Sequence, residues 1–157
     1  MPVSSFALMT LNSSMRKICV VITARASYSR IKTALIELNN NSSVDLMIVL
    51  AGSSLLEKFG DIRDQIMWDN LTISAEAYHV VDGGDLVSSA KTVGLGINEL
   101  SNIFVQLKPD LVVTIADRFE TMSTAVAASF MNIPLAHIQG GEVTGNFDEK
   151  VRHSITK

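Results

Sequence analysis

The sequence lacks several features that define common classes of protein. It has one cysteine in 157 residues, so no disulfide can form within the chain, and Cys19 lies in an apolar run where we expect a buried side chain. Acidic residues outnumber basic ones, 16 to 13, which argues against nucleic acid as the main partner. No apolar run approaches the length that crosses a bilayer, and residues 1–14 do not form a secretory signal. We therefore expect a soluble, cytoplasmic protein with no membrane partner.

Familiar cofactor and metal motifs are also missing. There is no Gly-x-x-x-x-Gly-Lys-Ser/Thr phosphate loop. Gly94 and Gly96 match part of a dinucleotide-binding motif, but the third glycine is absent and the pair falls inside a predicted helix, which favours a packing role. His79 and His137 fall in apolar runs, where we expect core histidines, and neither has partners at metal-ligand spacing. The sequence therefore predicts no metal and no cofactor.

What the sequence does contain is an alternation of apolar strands and helices. Its 47% hydrophobic content is ample for one core. The predicted strands are residues 17–23, 44–50, 77–81, 111–115 and 133–138. Helices are predicted after the first strand, over 55–70 with a break at Gly60, and over 86–107 and 119–131, with another beginning at 148. This order predicts an α/β fold with a doubly wound, Rossmann-like parallel sheet in residues 17–157, after a disordered or extended tail at residues 1–16.

Two polar clusters follow predicted strands. The run 111–116 leads into Asp117-Arg118-Phe119-Glu120, and the run 133–138 leads into a glycine-rich loop that carries Glu142, Asp148, Glu149 and Arg152. In open parallel sheets ligands bind beyond the carboxyl ends of the strands, so both clusters face one crevice. The acidic residues could instead cap the helices that follow. Their convergence, with two arginines as counter-ions, favours a site in which carboxylates of different pKa act as acid and base.

A basic pair lies at the end of the first predicted strand. Arg25 and Arg30 frame the turn that leads into the first helix. In an arbitrary α/β domain such residues are most often solvated loop residues. Their place beside a helix N-terminus favours binding of an anionic group such as a diphosphate.

Several stretches together resemble one family, the UDP-N-acetylglucosamine 2-epimerases, and in particular its hydrolysing branch. They are Thr-Ala-Arg-Ala-Ser-Tyr at 23–28, Gly-Ser-Ser-Leu at 52–55 with Phe-Gly at 59–60, Asp-Arg-Phe-Glu at 117–120, and His-Ile-Gln-Gly-Gly-Glu-Val-Thr-Gly at 137–145 with Arg-His-Ser-Ile-Thr-Lys at 152–157. The resemblance covers residues 17–157. It implies the N-terminal half of a two-domain, glycosyltransferase-B-type fold, truncated before the second, UDP-binding domain.

The resemblance also implies a reaction and a set of residues. UDP is eliminated from UDP-N-acetylglucosamine to give a 2-acetamidoglucal, and water then adds to yield N-acetylmannosamine for sialic or related nonulosonic acids. The implied catalytic residues are Asp117, Asp148 and Glu142, and the implied substrate-binding residues are Arg25, Arg30, Arg118, Gln139 and Arg152. Gln139 departs from the family, because many relatives have a catalytic glutamate there; either Glu142 takes that role, or Gln139 hydrogen-bonds the sugar. Ala116 stands where glycine is common.

Other functions remain open at this level. The chain could belong to a non-hydrolysing epimerase, which returns UDP-N-acetylmannosamine, or be a degenerate, non-catalytic module that pairs with an intact subunit. The resemblance further implies a dimer that forms through N-terminal-domain helices. Without the second domain we expect little or no activity, because half of the substrate cleft is missing.

Overall fold

The computed structural model describes residues 15–145 and 148–157, so the predicted tail lies outside them except for its last two residues. The strands are β1 Arg16–Ile22, β2 Val44–Ala51, β3 Ile73–Ala77, β4 Leu111–Ile115 and β5 Leu135–Ile138. The α-helices are α1 Arg25–Asn40, α2 Arg63–Trp68, α3 Leu86–Leu107, α4 Thr121–Phe130 and α5 Asp148–Thr156, and 3₁₀ turns occupy Gly52–Leu55 and Glu57–Phe59. None of the helices in these ranges is long and apolar enough to cross a membrane.

All five strands are parallel and follow the order β3-β2-β1-β4-β5, which confirms the predicted doubly wound fold. β1 pairs with β2 along its whole length, and with β4 from Ile18 to Val20. Winding therefore proceeds outward from β1 in one direction and then resumes from β1 in the other. The crevice at such a switch point lies between the carboxyl ends of β1 and β4, where ligands bind in sheets of this kind.

Two apolar clusters cover the two faces of the sheet. From β1, Val20 and Ile22 enter the cluster beneath α1 and α2, whereas Cys19 and Val21 enter the cluster beneath α3 and α4. Because both faces are covered, β1 is apolar without alternation. Cys19 is fully buried as predicted, and burial raises the pKa of its thiol to about 12.

The position predicted for the third strand is wrong. We expected residues 77–81, but β3 ends at Ala77. The apolar residues that suggested a strand lie in the connection to α3, where the Val81 N–H donates to Thr92 Oγ1 at 2.9 Å. β3 itself is polar in part because it lies at the edge of the sheet, where Ser74 is exposed. His79 is a core histidine as predicted, 4% exposed, and burial lowers its pKa.

The glycine pair in α3 has the predicted packing role at only one of its two positions. A Cβ on Gly96 would lie 2.5 Å from Ser123 Oγ and 2.7 Å from His79 Nδ1, so α3 approaches α4 closely there. A Cβ on Gly94 would meet nothing within 4 Å. Gly96 therefore fits the packing interpretation, and the contacts of Gly94 do not require a glycine.

Candidate active site

The site begins at a strained turn after β4. Ala116 adopts a left-handed conformation with φ +65°, which explains why a glycine suits this position. Its N–H donates to the Ile138 carbonyl at 3.0 Å, and its own carbonyl lies 2.7 Å from His137 Nε2. Since a carbonyl can only accept, His137 Nε2 carries a proton. The ends of β4 and β5 are therefore joined at the point where the chain turns toward Asp117.

His137 is not the core residue that we predicted from sequence. It is only half-buried, because β5 is an edge strand. Its second ring nitrogen, Nδ1, lies 3.0 Å from Thr156 Oγ1, at the end of α5. A Cβ on Gly140 would lie 2.6 Å from the same oxygen, so the glycine allows this contact. His137 thus links β4, β5 and α5.

Arg152 is the central side chain of the acidic cluster. It is 4% exposed, its Nη2 donates to Asp117 Oδ2, and its Nη1 donates to the Glu142 carbonyl at 2.6 Å. Its Nε has no hydrogen-bond partner in the described part of the chain. One buried guanidinium therefore joins the turn after β4, the loop after β5 and helix α5.

The charges of this cluster affect the protonation of Asp148. Its pKa is raised, first by burial and then by repulsion from Asp117, against the attraction of Arg118 and Arg152. Arg152 lies one turn after Asp148 on α5 and pairs with Asp117, so Asp117 and Asp148 lie on the same side of the molecule. One carboxylate is ion-paired, whereas the other holds its proton more readily, and such pairs divide acid and base work in enzymes.

The other two acidic residues of the loop have different contacts. The Glu149 carboxylate accepts from the Thr144 N–H at 2.7 Å and the Gly145 N–H at 2.5 Å, and these bonds lower its pKa. Both donors lie in the loop before α5, so these two bonds hold that loop against the start of the helix and are not the helix cap considered from sequence. Glu142 is exposed, and its contact with Arg152 is made by its backbone carbonyl.

A buried carboxylate with no assigned role supports Arg118. Glu120 is 1% exposed and accepts two hydrogen bonds from Arg118, each of 3.1 Å, in a fork geometry. Gly52 lies against it, since a Cβ there would be 3.1 Å from Glu120 Cγ. From sequence Glu120 is placed in the cluster without a function, because its burial depends on the approach of the 3₁₀ turn after β2, which local spacing does not reveal.

The two predicted phosphate-binding arginines lie near each other in sequence but contact different segments. Arg30 Nη1 donates to Gln139 Oε1 at 2.9 Å, at the end of β5. Arg25 Nη1 donates to the Phe59 carbonyl at 3.3 Å, beside the second 3₁₀ turn. Neither arginine forms an ion pair within residues 15–145 and 148–157. The structure thus brings Arg30 to the edge where the acidic cluster lies and directs Arg25 toward Phe59.

Known proteins match most of this chain in sequence. The sequence profile of the UDP-N-acetylglucosamine 2-epimerase family matches residues 36–157. The hydrolysing GDP/UDP-N,N'-diacetylbacillosamine 2-epimerase of Campylobacter jejuni is 35% identical over 145 residues, which are 92% of this chain and 38% of that protein. The hydrolysing UDP-N,N'-diacetylbacillosamine 2-epimerase of Legionella pneumophila is 33% identical over 90% of this chain and 38% of its own length.

Solved structures agree on the fold. The UDP-GlcNAc 2-epimerase of Neisseria meningitidis, crystallised with UDP-GlcNAc, superposes with a TM-score of 0.75 at 17% identity, over 89% of this chain and 38% of that one. The chain therefore spans little more than a third of the length of these relatives and has the fold of one part of a glycosyltransferase-B-like architecture. The profile match, the two hydrolysing relatives and the shared fold lead to one conclusion: this chain belongs to the UDP-N-acetylglucosamine 2-epimerase family.

Proposed function

We propose that this chain is the N-terminal catalytic domain of a hydrolysing UDP-sugar 2-epimerase. Its reaction converts UDP-N-acetylglucosamine and water into N-acetylmannosamine and UDP, in the cytoplasm, for sialic or related nonulosonic acids. The observation that carries the proposal is the cluster of Asp117, Arg152 and Asp148 at the carboxyl edge of the sheet, in a chain similar to hydrolysing relatives. The 33% identity to the polysialic acid biosynthesis protein P7 of Escherichia coli supports the pathway.

A second substrate has support from the comparisons. The Campylobacter and Legionella relatives are both named for N,N'-diacetylbacillosamine, a sugar that carries two acetamido groups. The same chemistry at C1 and C2 would serve that nucleotide sugar, because the 2-acetamido group is shared. The alternative substrate is therefore UDP-N,N'-diacetylbacillosamine, and a parallel assay with both sugars distinguishes the two.

In this proposal the two carboxyl groups have separate tasks. Elimination of UDP needs a base for the C2 hydrogen, a proton or cation for the departing phosphate, and stabilisation of the positive charge at C1. Asp148, with its raised pKa, keeps its proton to higher pH than an ordinary aspartate does. Asp117, oriented by Arg152, provides negative charge beside C1. Arg30 and Arg118 are available to the departing diphosphate.

The chain alone is expected to turn over poorly or not at all. In the proposed whole protein the nucleotide lies between this domain and a second, UDP-binding domain. Loss of one wall of such a cleft removes the binding energy that positions the reacting atoms. The isolated chain is therefore the wrong material for an activity assay.

The test joins this chain to the remaining part of the Campylobacter relative. The chimera is assayed for UDP release, and the sugar product is identified by NMR. Asp117→Asn should lower turnover at least about 100-fold, in the range that general acid–base residues contribute. Asp110→Asn, at the opposite end of β4, is the matched control and should retain activity.

The outcomes separate the hypotheses. Full turnover in the Asp117→Asn chimera would sink the site assignment. A UDP-linked sugar as the product would favour the non-hydrolysing alternative. Two observations together would favour the non-catalytic module: the chimera is folded but inactive, and the chain copurifies with an intact relative.

We also propose that the chain forms a homodimer through helices α3 and α4. These helices pack against each other and expose large apolar side chains, among them Leu86 at 74% and Phe130 at 90% exposure. Large apolar side chains exposed along two packed helices would be buried if these helices formed the interface. Phe130→Lys should shift a dimer toward monomer in analytical ultracentrifugation, whereas Met67→Lys, which adds the same charge on α2, should not.

A further inference from the structure

Asp82 precedes a glycine in the connection between β3 and α3. It is the one aspartate, of the nine in the sequence, that a glycine follows, and no asparagine has a glycine after it. A glycine has no side chain that would shield its main-chain nitrogen or restrict the rotation of the bonds beside it. Asp82–Gly83 is therefore the aspartyl bond at which the following nitrogen reaches the carboxyl group most easily.

The structure places that nitrogen next to the carboxyl group. The Gly83 N–H donates to Asp82 Oδ1 at 3.1 Å, and no other acceptor binds it within the described residues. The Asp82 side chain is fully exposed, and it pairs with Lys58 Nζ at 3.9 Å, which is exposed as well. Exposed ion pairs of this kind restrain a side chain weakly. Neither the packing of the fold nor a strong bond therefore keeps the carboxyl group away from the nitrogen.

The helix that follows requires a glycine at position 83. A Cβ there would lie 3.0 Å from Ser88 Cβ and 3.1 Å from Ser88 Oγ. Ser88 belongs to the capping box of α3, because its N–H donates to Asp85 Oδ1 at 2.6 Å and the Asp85 N–H donates to Ser88 Oγ at 3.1 Å. The start of α3 therefore depends on the same glycine that makes the preceding bond reactive.

We propose that Asp82 is a site of spontaneous covalent modification, at which the Asp82–Gly83 bond isomerises to an isoaspartyl bond. The Gly83 nitrogen bonds to Asp82 Cγ, the hydroxyl of the protonated carboxyl group leaves as water with the amide proton, and a cyclic imide forms. Water then opens the imide. When water attacks the main-chain carbon, Gly83 stays bonded to Cγ and the former main-chain carbonyl becomes the free carboxylate. The water lost is regained, so the mass is unchanged and no other reactant is needed.

The modification changes the wall of a cavity. Asp82 and Gly84 line a cavity of about 240 Å³ together with Lys58 and Arg118, between the 3₁₀ turns and the start of α3. The isoaspartyl bond adds one carbon to the main chain there, and the carboxylate is then attached directly to Cα. The connection to α3 is thus lengthened beside its capping box.

The product also defines an enzymatic partner by its chemistry. An isoaspartyl carboxylate is the group that L-isoaspartyl carboxyl methyltransferases esterify, with S-adenosylmethionine as the methyl donor. The modified chain is therefore a methyl acceptor for this class of enzyme, whereas the unmodified aspartate is not. This difference provides a direct assay for the modification.

The test incubates the intact 157-residue chain at neutral pH and physiological temperature for several weeks. Electron-transfer mass spectrometry locates isoaspartate, because it cleaves the extra carbon–carbon bond of the main chain. An L-isoaspartyl carboxyl methyltransferase with labelled S-adenosylmethionine measures the amount. The isoaspartyl fraction at Asp82 should exceed that at Asp61, which is also exposed but precedes Ile62, by at least about tenfold.

Two variants separate the imide chemistry from the surroundings. Asp82→Glu keeps the charge but would have to close a larger ring, so modification at this position should fall at least about tenfold. Asp82→Asn forms the same imide by loss of ammonia and should accumulate isoaspartate faster than the wild type. Circular dichroism spectra recorded before incubation establish that each variant starts from the same fold.

Three results would each overturn the proposal. If isoaspartate at Asp82 does not exceed that at Asp61, the Gly83 nitrogen does not reach the carboxyl group. If Asp82→Glu is modified at this position as fast as the wild type, an imide is not the source. If the folded chain is modified far more slowly than the same chain in urea, the fold protects the bond. None of these measurements involves a nucleotide sugar, so they stand apart from the test of the proposed function.

Discussion

The two charged sides of the crevice are built in opposite ways. The acidic side, which consists of Asp117, Asp148 and Arg152, pairs its charges internally around a guanidinium that is 4% exposed. The basic side, which consists of Arg25 and Arg30, is exposed, and its hydrogen bonds go to neutral oxygens of Phe59 and Gln139. Charges that are paired and buried form part of the fold. Charges that are held in place but not neutralised are available to a ligand.

The largest expected difference between the two sides is in stability. Arg152→Met leaves Asp117 and the Glu142 carbonyl without their partner, and loss of one member of a buried pair costs about 3–5 kcal/mol. Arg25→Met, the matched substitution on the basic side, should change the free energy of unfolding by less than about 0.5 kcal/mol. Urea denaturation of both variants gives the comparison. Equal losses would show that the two sides do not differ in this way.

A smaller loss of stability is expected where α3 packs against α4. Gly96→Ala would place a Cβ against Ser123 and His79, and overpacking of this kind costs about 1–3 kcal/mol. Gly94→Ala, on the same helix but with open space around it, should stabilise the chain by about 0.5–1 kcal/mol. Thermal unfolding of the two variants should therefore show midpoints that move in opposite directions. A stable Gly96→Ala variant would mean that α3 and α4 can separate without cost.

The contribution of Asp69 to the stability of the fold should depend on pH. Asp69 accepts a hydrogen bond from Tyr28 at 2.6 Å and pairs with Lys32 at 2.5 Å, and Lys32 is the larger cause of its lowered pKa. A lowered folded-state pKa stabilises the fold above the ordinary value of 3.8, and this stabilisation is lost as pH falls through the folded value. Asp69→Asn should thus be less stable than wild type at neutral pH. The prediction is wrong if the difference in stability between the wild type and Asp69→Asn is the same in acid as at neutral pH.

The smallest expected change is a gain in stability, and it concerns Asp148 on the acidic side. Burial and Asp117 raise the pKa of Asp148, so the protonated form is favoured in the fold, and its benefit is lost as pH rises through the raised value. Asp148→Asn resembles the protonated form. Its stability should match that of the wild type below the ordinary value of 3.8 and exceed it at neutral pH. Denaturation midpoints measured across pH would reveal this, and a variant that is less stable at neutral pH would argue against it.

Most of the sheet could be predicted from sequence because its central strands are covered on both faces. β1, β2 and β4 are apolar over most of their length, and the long helix α3 has the predicted bounds of 86–107. The edge strands were harder. β3 alternates and contains Glu76, while the apolar residues at 80–81 belong to a connection, so hydrophobicity pointed to the wrong segment. Similarly, His137 lies in an edge strand and is less buried than its neighbours suggested.

The site could be located from sequence, but its contacts could not. Polar residues after β4 and β5 were sufficient to predict a shared crevice, since parallel strands end at one edge. The pairing of Arg152 with Asp117 joins residues 35 apart, and the bond between Arg30 and Gln139 joins residues 109 apart. Such pairings depend on strand register and helix placement, which local patterns do not specify. The catalytic and binding roles of these residues remain predictions.

The pairing of β1 with β4 has a consequence for how the chain folds. The Lys17 N–H and Asp110 Oδ2, 2.8 Å apart beside the start of this pair, are separated by 93 residues. Closing so long a loop costs chain entropy before any native contact offsets it, and folds rich in distant pairings form slowly. The strands β1 and β2 can associate as soon as both have been synthesised, but one side of β1 stays open until the ribosome has made everything up to β4. The crevice cannot exist before that moment.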